Sequence, residues 1–129
     1  MNDTPPVHSV LVVDDDVSLR PMLASWVNRF GFCAFEAPSA EAALRQLETT
    51  PTDIALCDVN MPGHDGVWLL QKIHERWPTT VMIVISGAQD EHVILDARKM
   101  GAIAFVPKPL ERELLRQALD RATRVALGP

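Results

Sequence analysis

The chain has 129 residues, 47% of them hydrophobic, and a net charge of −5. That is the length of one domain with apolar content enough for a core that needs no staples, and its twelve basic residues are scattered, which argues against this domain binding nucleic acid directly. The opening Met1-Asn2-Asp3-Thr4-Pro5-Pro6 is polar and lacks an apolar stretch, so residues 1–7 are expected to be a disordered segment, with no signal peptide and no membrane partner, in a cytoplasmic protein.

The first apolar run, Val10–Val13, reads as a buried strand and stops at Asp14-Asp15-Asp16. Leu19, Met22, Leu23, Trp26, Val27 and Phe30 then fall on one helical stripe closed by Gly31. Pro21 lies in the first turn of that helix and requires a late or slightly distorted start. Cys33–Glu36 is short and polar-tipped, as suits an edge strand. Ser39 is the N-cap of a helix over about Ala40–Leu47, which ends before Pro51. Ile54–Cys57 is a second buried run, and it stops at Asp58. A third helix carries Leu69, Leu70, Ile73 and Trp77 and ends at Pro78; Val81–Ile85 then runs into Ser86. Val93, Ile94, Ala97 and Met100 mark a fourth helix closed by Gly101, and Ala102–Pro107 is a last strand stopping at Lys108. Leu114, Leu115, Ala118, Leu119 and Ala122 stripe a fifth helix, after which residues 125–129 form a tail or the start of a linker.

Strands alternating with helices specify a parallel sheet, because parallel neighbours need a crossover and a helix supplies it. The simplest solution is a doubly wound (βα)₅ α/β fold, flavodoxin-like, with five strands in the order 2-1-3-4-5. Its carboxyl edge then gathers Asp14, Asp15 and Asp58 with the Ser86 hydroxyl and the Lys108 ammonium. Three neighbouring carboxylates repel unless a cation joins them, and Mg²⁺ prefers one or two carboxylates plus waters and phosphate oxygens. A metal site at the three aspartates follows, although Asp14–Asp16 also suit a plain helix cap. Carboxylate, divalent metal, hydroxyl and ammonium are the parts that accept a phosphoryl group, with a carboxylate as nucleophile.

Cys33 and Cys57 both fall in strand-like segments and are expected to be buried, reduced thiols without a disulfide. His8, His64, His74 and His92 show no ligand spacing and read as surface residues. Trp26 and Trp77 sit on apolar stripes and read as core, whereas Trp68 lies off its helix's main stripe and reads as partly exposed.

Val10–Asp16, Asp58-Val59-Asn60-Met61-Pro62-Gly63-His64-Asp65-Gly66, Val84-Ile85-Ser86-Gly87 and Phe105-Val106-Pro107-Lys108-Pro109 together resemble the receiver domains of two-component response regulators. The resemblance covers roughly residues 8–124 and implies the CheY-like version of the fold. It implies a signalling domain rather than an enzyme, catalysing only its own phosphorylation and dephosphorylation. Asp58 would take the phosphoryl group from a phosphohistidine of a sensor histidine kinase or phosphotransfer protein. Mg²⁺, with Mn²⁺ as a substitute, would bind Asp15 directly, Asp14 largely through water, Asp58, and the main-chain oxygen of Asn60. Lys108 and Ser86 would contact the phosphate, Phe105 would be the aromatic switch, and the Lys108–Pro109 peptide would be cis. The resemblance also implies that phosphorylation remodels the face of the fourth helix, fifth strand and fifth helix, where a partner or a second copy docks as a homodimer. Phe105 stands where many members have Tyr, and Pro107 before the lysine is less usual.

Two rival readings share parts of the pattern. Asp14-Asp15-Asp16-Val17-Ser18 also resembles the opening motif of haloacid-dehalogenase-type phosphatases, with Asp14 as nucleophile and Mg²⁺ bound, but that family assigns no role to Asp58 at a strand end. A flavin mononucleotide carrier would need N–H-rich Ser, Thr or Gly residues after the first strand, where three aspartates would repel a phosphate.

Overall fold

The computed structural model describes residues 8–60, 66–87 and 91–126. Their elements are β1 (Ser9–Val13), α1 (Leu19–Arg29), β2 (Cys33–Ala37), α2 (Ala40–Thr49), β3 (Ile54–Asp58), α3 (Gly66–Arg76), β4 (Val81–Ser86), α4 (Glu91–Lys99), β5 (Ala104–Pro107) and α5 (Arg112–Ala126). The strands form one parallel sheet in the order β2-β1-β3-β4-β5, the flavodoxin-like order expected from the alternation. Helix α5 carries regular structure two residues into the segment read as a tail; residues 1–7 and 127–129, like His64 and its neighbours 61–65, lie outside the described residues.

Because successive strand residues point to opposite faces, the core divides into two layers. Val10, Val12, Ile54, Leu56, Ile83, Ile85 and Val106 pack against Leu23 and Val27 of α1 and Leu115 and Leu119 of α5. Leu11, Val13, Ala55, Cys57, Met82 and Val84 pack against α2, α3 and α4 through Leu47, Leu69, Ile73 and Ala97. Central strands β3 and β4 are buried on both faces throughout, which is why they read as unbroken apolar runs. Each fully buried Leu or Ile contributes about 1.5–3 kcal/mol.

The helix ends follow local chemistry. Ser39 Oγ accepts from the Ala42 N–H at 3.1 Å, as an N-cap should. At α1 the cap comes from further back: Ser18 makes no side-chain cap bond, and Asp16 Oδ1 takes the N–H groups of Ser18 at 2.8 Å and Leu19 at 2.9 Å. Pro21 therefore sits in the first turn, where the N–H it lacks has no intrahelical partner to lose. Gly31 and Gly101 end α1 and α4 with φ of 99° and 101°, the left-handed conformation that glycine accepts freely.

Three expectations need correction. Cys33 is exposed, because it opens an edge strand that has a neighbour on one side only. Trp26 and Trp77 are half-buried, lying at the margin of their stripes under Arg112 and Arg76 respectively, with guanidinium carbons 5.8 and 4.5 Å from the ring centres. Strand β5 begins at Ala104, later than the apolar run, because the Ala102 N–H closes the end of α4 on the Ala97 carbonyl.

Candidate functional site

The parallel register decides what meets at the carboxyl edge. Val13 pairs with Cys57, so the residues that follow them, Asp14 and Asp58, stand abreast. Ser86 pairs with Pro107, and the Lys108 N–H extends that ladder by bonding the Ser86 carbonyl at 3.1 Å. One carboxylate oxygen from each of Asp14, Asp15 and Asp58 lies within 4.8 Å of the others. Asp14 and Asp58 are buried, while Asp15 is exposed at the rim.

Asp58 is gripped from two sides. Its Oδ1 accepts the Asn60 N–H at 2.8 Å, and its Oδ2 accepts from Lys108 Nζ at 2.8 Å. Lysine is a compact point charge well suited to a carboxylate or phosphate oxygen. Behind Asp58, Gly66 opens α3 against the β3 chain: a Cβ there would lie 2.4 Å from Val59 Cα and 2.8 Å from the Asp58 carbonyl oxygen. Only glycine allows that approach. The Asn60 side chain bridges to the next loop, its Oδ1 accepting from the Gly87 N–H at 3.4 Å.

Asp14 is differently placed. Its Oδ1 accepts the Asp16 N–H at 2.9 Å. Its Oδ2 is the one buried side-chain nitrogen or oxygen among the described residues with no hydrogen-bond partner. Burial, together with the charges of Asp58 and Asp15, pushes the Asp14 carboxyl above the ordinary carboxylate range, against the pull of the Asp16 N–H and Lys108. A buried acceptor left unpaired beside two more carboxylates is the donor set that a hard divalent cation completes.

Ser86 is buried at the end of β4. Phe105 pairs with Val84 in the ladder and packs, half-buried, against the α2–α4 layer, with the Arg98 guanidinium 5.3 Å from its ring centre. By strand alternation Ser86 and Phe105 share that side of the sheet. Lys108–Pro109 is cis, as expected.

Of the residues singled out from the sequence, Asp14, Asp15, Asp58, Asn60 and Lys108 are brought together, Ser86 ends the neighbouring strand and Phe105 lies two residues below that edge, while the Met61–Asp65 stretch is outside the described residues. Sequence reasoning assigned no role to three contributors: the Asn60 side chain, Gly66, which appeared only within the quoted motif, and Arg20, whose Nη1 donates to the Asp14 carbonyl at 2.9 Å. Arg20 did leave a trace. A basic residue in the first turn of a helix opposes the helix dipole, and α1 has no acidic residue there to offset it.

Residues 10–120 match the family of the response regulator receiver domain. A cyclic di-GMP phosphodiesterase of Thermotoga maritima is 33% identical over 116 residues, spanning 90% of this chain and 31% of that protein. The DNA-binding transcriptional regulator NtrC of Proteus hauseri is 32% identical over 114 residues, 88% of this chain and 24% of the other. The chain thus spans about a quarter to a third of the length of these curated relatives. Among solved structures, the signal receiver domain of an HD domain-containing protein from Pseudomonas fluorescens superposes with a TM-score of 0.91 at 25% identity, covering 96% of this chain and 100% of that one.

Proposed function

The chain belongs to the receiver-domain family of response regulators, and from that premise we propose that it accepts a phosphoryl group on Asp58 from a phosphohistidine of a histidine kinase or phosphotransfer protein. An Asp58 oxygen forms the new O–P bond as the N–P bond breaks, and the electron pair returns to the departing imidazole, which takes a proton from water. The observation that carries this reading is the pairing at one sheet edge of a buried Asp58, held by Lys108, with an Asp14 oxygen that has no partner.

Asp14, Asp15, Asp58 and the main-chain oxygen of Asn60 would hold Mg²⁺, or Mn²⁺ in its place. When bound, the ion would neutralise charge on the transferring phosphoryl oxygens. Lys108 supplies a second positive charge already in place, which costs no reorganisation as charge develops. The phosphatase alternative with Asp14 as nucleophile is not favoured: the family match is to receivers.

On the added phosphoryl group, Ser86 and Lys108 contact its oxygens and Phe105 moves on the same side of the sheet. That change would remodel the groove between β5 and α5, which is lined by Phe105, Arg98, Leu114, Arg121 and Val125. A partner, or a second copy in a homodimer, would read it there. Residues 8–124 would form this domain in a cytoplasmic protein; no helix among the described residues is long and apolar enough to cross a membrane. The output of the whole protein would be carried by parts such as those its longer relatives possess.

The decisive experiment is incubation with acetyl phosphate and Mg²⁺. One acid-stable, base-labile phosphoryl group per chain is expected, absent in Asp58→Asn and without chelatable metal. Full labelling of Asp58→Asn would move the nucleophile elsewhere.

A further inference from the structure

The side chain of Arg20, 17% exposed, reaches back from the first turn of α1 and holds two groups at once. Its Nη1 donates to the Asp14 carbonyl oxygen at 2.9 Å, and its Nε lies 3.3 Å from Glu36 Oε1 on the edge strand. The Asp14 carbonyl belongs to the peptide plane that joins Asp14 to Asp15. From the other side, the Asp14 N–H is held by the Ala37 carbonyl at 3.2 Å. The main chain carrying two of the three clustered carboxylates is thus pinned on both flanks, and on one of them by a charge that the helix dipole disfavours at that position. A residue placed against its local preference is expected where the site requires it.

We propose that Arg20, braced by Glu36, is a positioning residue for the acidic cluster: it fixes the Asp14–Asp15 peptide so that the two carboxylates present themselves to a divalent cation together. The proposal rests on the Mg²⁺ reading of the cluster given above. Arg20 touches neither the metal nor the phosphoryl group; it acts through the main chain. A planar fork suits this work because two donors of one rigid group serve two partners in fixed relation.

The sign of the effect separates positioning from charge. Arg20 is a cation, so removing it by Coulomb's law alone should strengthen the binding of Mg²⁺, increasingly at low salt. Positioning requires the opposite. Mg²⁺ titration followed by the backbone amide resonances of Asp15 and Asp16 should show affinity about tenfold weaker in Arg20→Ala, the low end of what outer partners of metal ligands are worth. Arg20→Lys, which reaches one partner but not both, should recover part of the loss. Glu36→Gln keeps the arm and loosens its brace; measured at high salt, where the loss of the Glu36 charge by itself is screened, a loss of about two- to threefold is expected even if Arg20→Ala folds poorly. Affinity that is unchanged or tighter in folded Arg20→Ala, or unchanged in Glu36→Gln, overturns the clamp. Wild-type protein whose Asp15 and Asp16 amides ignore Mg²⁺ overturns the metal reading itself and is recognisable as a different failure.

Discussion

The two ends of the sheet treat a carboxylate in opposite ways. At the amino end, Asp53 stands just before β3, and its Oδ2 accepts from the Ser9 N–H at 2.9 Å and the Ser9 hydroxyl at 3.4 Å, with His8 Nδ1 at 3.5 Å. Its own N–H returns a bond to Ser9 Oγ at 3.0 Å. This half-exposed acid is held through one oxygen by its own fold, with the other side of the carboxylate open to water, and its work is to tie β1 to β3. At the carboxyl end, Asp14 has one oxygen satisfied and one with no partner, and its nearest charged neighbours include two more acids. An acid bonded by the neighbouring strand and otherwise open to water holds structure together. An acid that the fold leaves short, in company that repels it, is where a ligand completes the bonding.

The largest test of that contrast is steric. Gly66→Ala drives a methyl group into the Val59 and Asp58 main chain at the functional edge, and a loss of about 3 kcal/mol or more is expected. Gly31 precedes β2 at the amino end with φ 99° and open space where a Cβ would stand, nothing lying within 4 Å, so Gly31→Ala should cost only the left-handed penalty, about 1–2 kcal/mol. Chemical denaturation of both variants measures the difference. Equal losses would mean that the chain behind Asp58 can yield, and that the approach of α3 to Asp58 does not need glycine.

The second test is electrostatic, and its two arms differ in sign. Asp53→Asn should destabilise the protein by about 1 kcal/mol, since its bonds are accepted best by a charged oxygen. Asp14→Asn should stabilise the metal-free protein at neutral pH by on the order of 1 kcal/mol, by removing a buried, repelled charge. The pH dependence follows from the raised Asp14 carboxyl: the folded state holds its proton at a pH where the unfolded state has lost it. Stability attributable to Asp14 therefore falls as pH rises from the ordinary carboxylate range through its raised value, and Asp14→Asn should flatten that fall. Mg²⁺ at ten times its Kd should add ~1.4 kcal/mol to wild type and to Asp53→Asn, but not to Asp14→Asn. A Tm indifferent to Mg²⁺ in all three would falsify the distinction between the two ends.

What the sequence made legible was the arrangement that periodicity and strand ends determine. Continuous apolar runs marked β3 and β4 because both faces are covered, and the polar residue ending each run marked the edge where Asp58 and Ser86 stand. Depth was less legible. The stripe containing Trp26 gave the side of α1 that faces the sheet, but an indole at the stripe's margin can stay half-exposed under a guanidinium. Cys33 looked buried by composition, whereas its exposure follows from opening an edge strand. Main-chain contacts were least legible: that Arg20 reaches the Asp14 carbonyl and that Gly66 abuts the Asp58 carbonyl depend on how α1 and α3 cross the sheet, which no local pattern encodes.

The smallest effect expected is a difference between two thiols, one at each end of the sheet. Cys57 precedes Asp58, is wholly buried, and burial with the Asp58 charge pushes its thiol up to about 12. Cys33 is exposed at the start of β2. Since the thiolate is the nucleophile, a buried thiol kept protonated by burial and the Asp58 charge reacts far more slowly than an exposed one. A disulfide reagent should therefore titrate one thiol in the native protein and two after denaturation. The residual rate at Cys57 then reports how often the carboxyl edge opens, because local opening sets access to a buried group. Mg²⁺ should slow that rate by stabilising the closed edge and leave the Cys33 rate alone. Two fast thiols in native protein would mean that the edge opens readily and that Asp58 is not held in a fixed, buried setting. A slow Cys57 rate that Mg²⁺ does not change would keep the buried edge but separate its stability from the acidic cluster beside it.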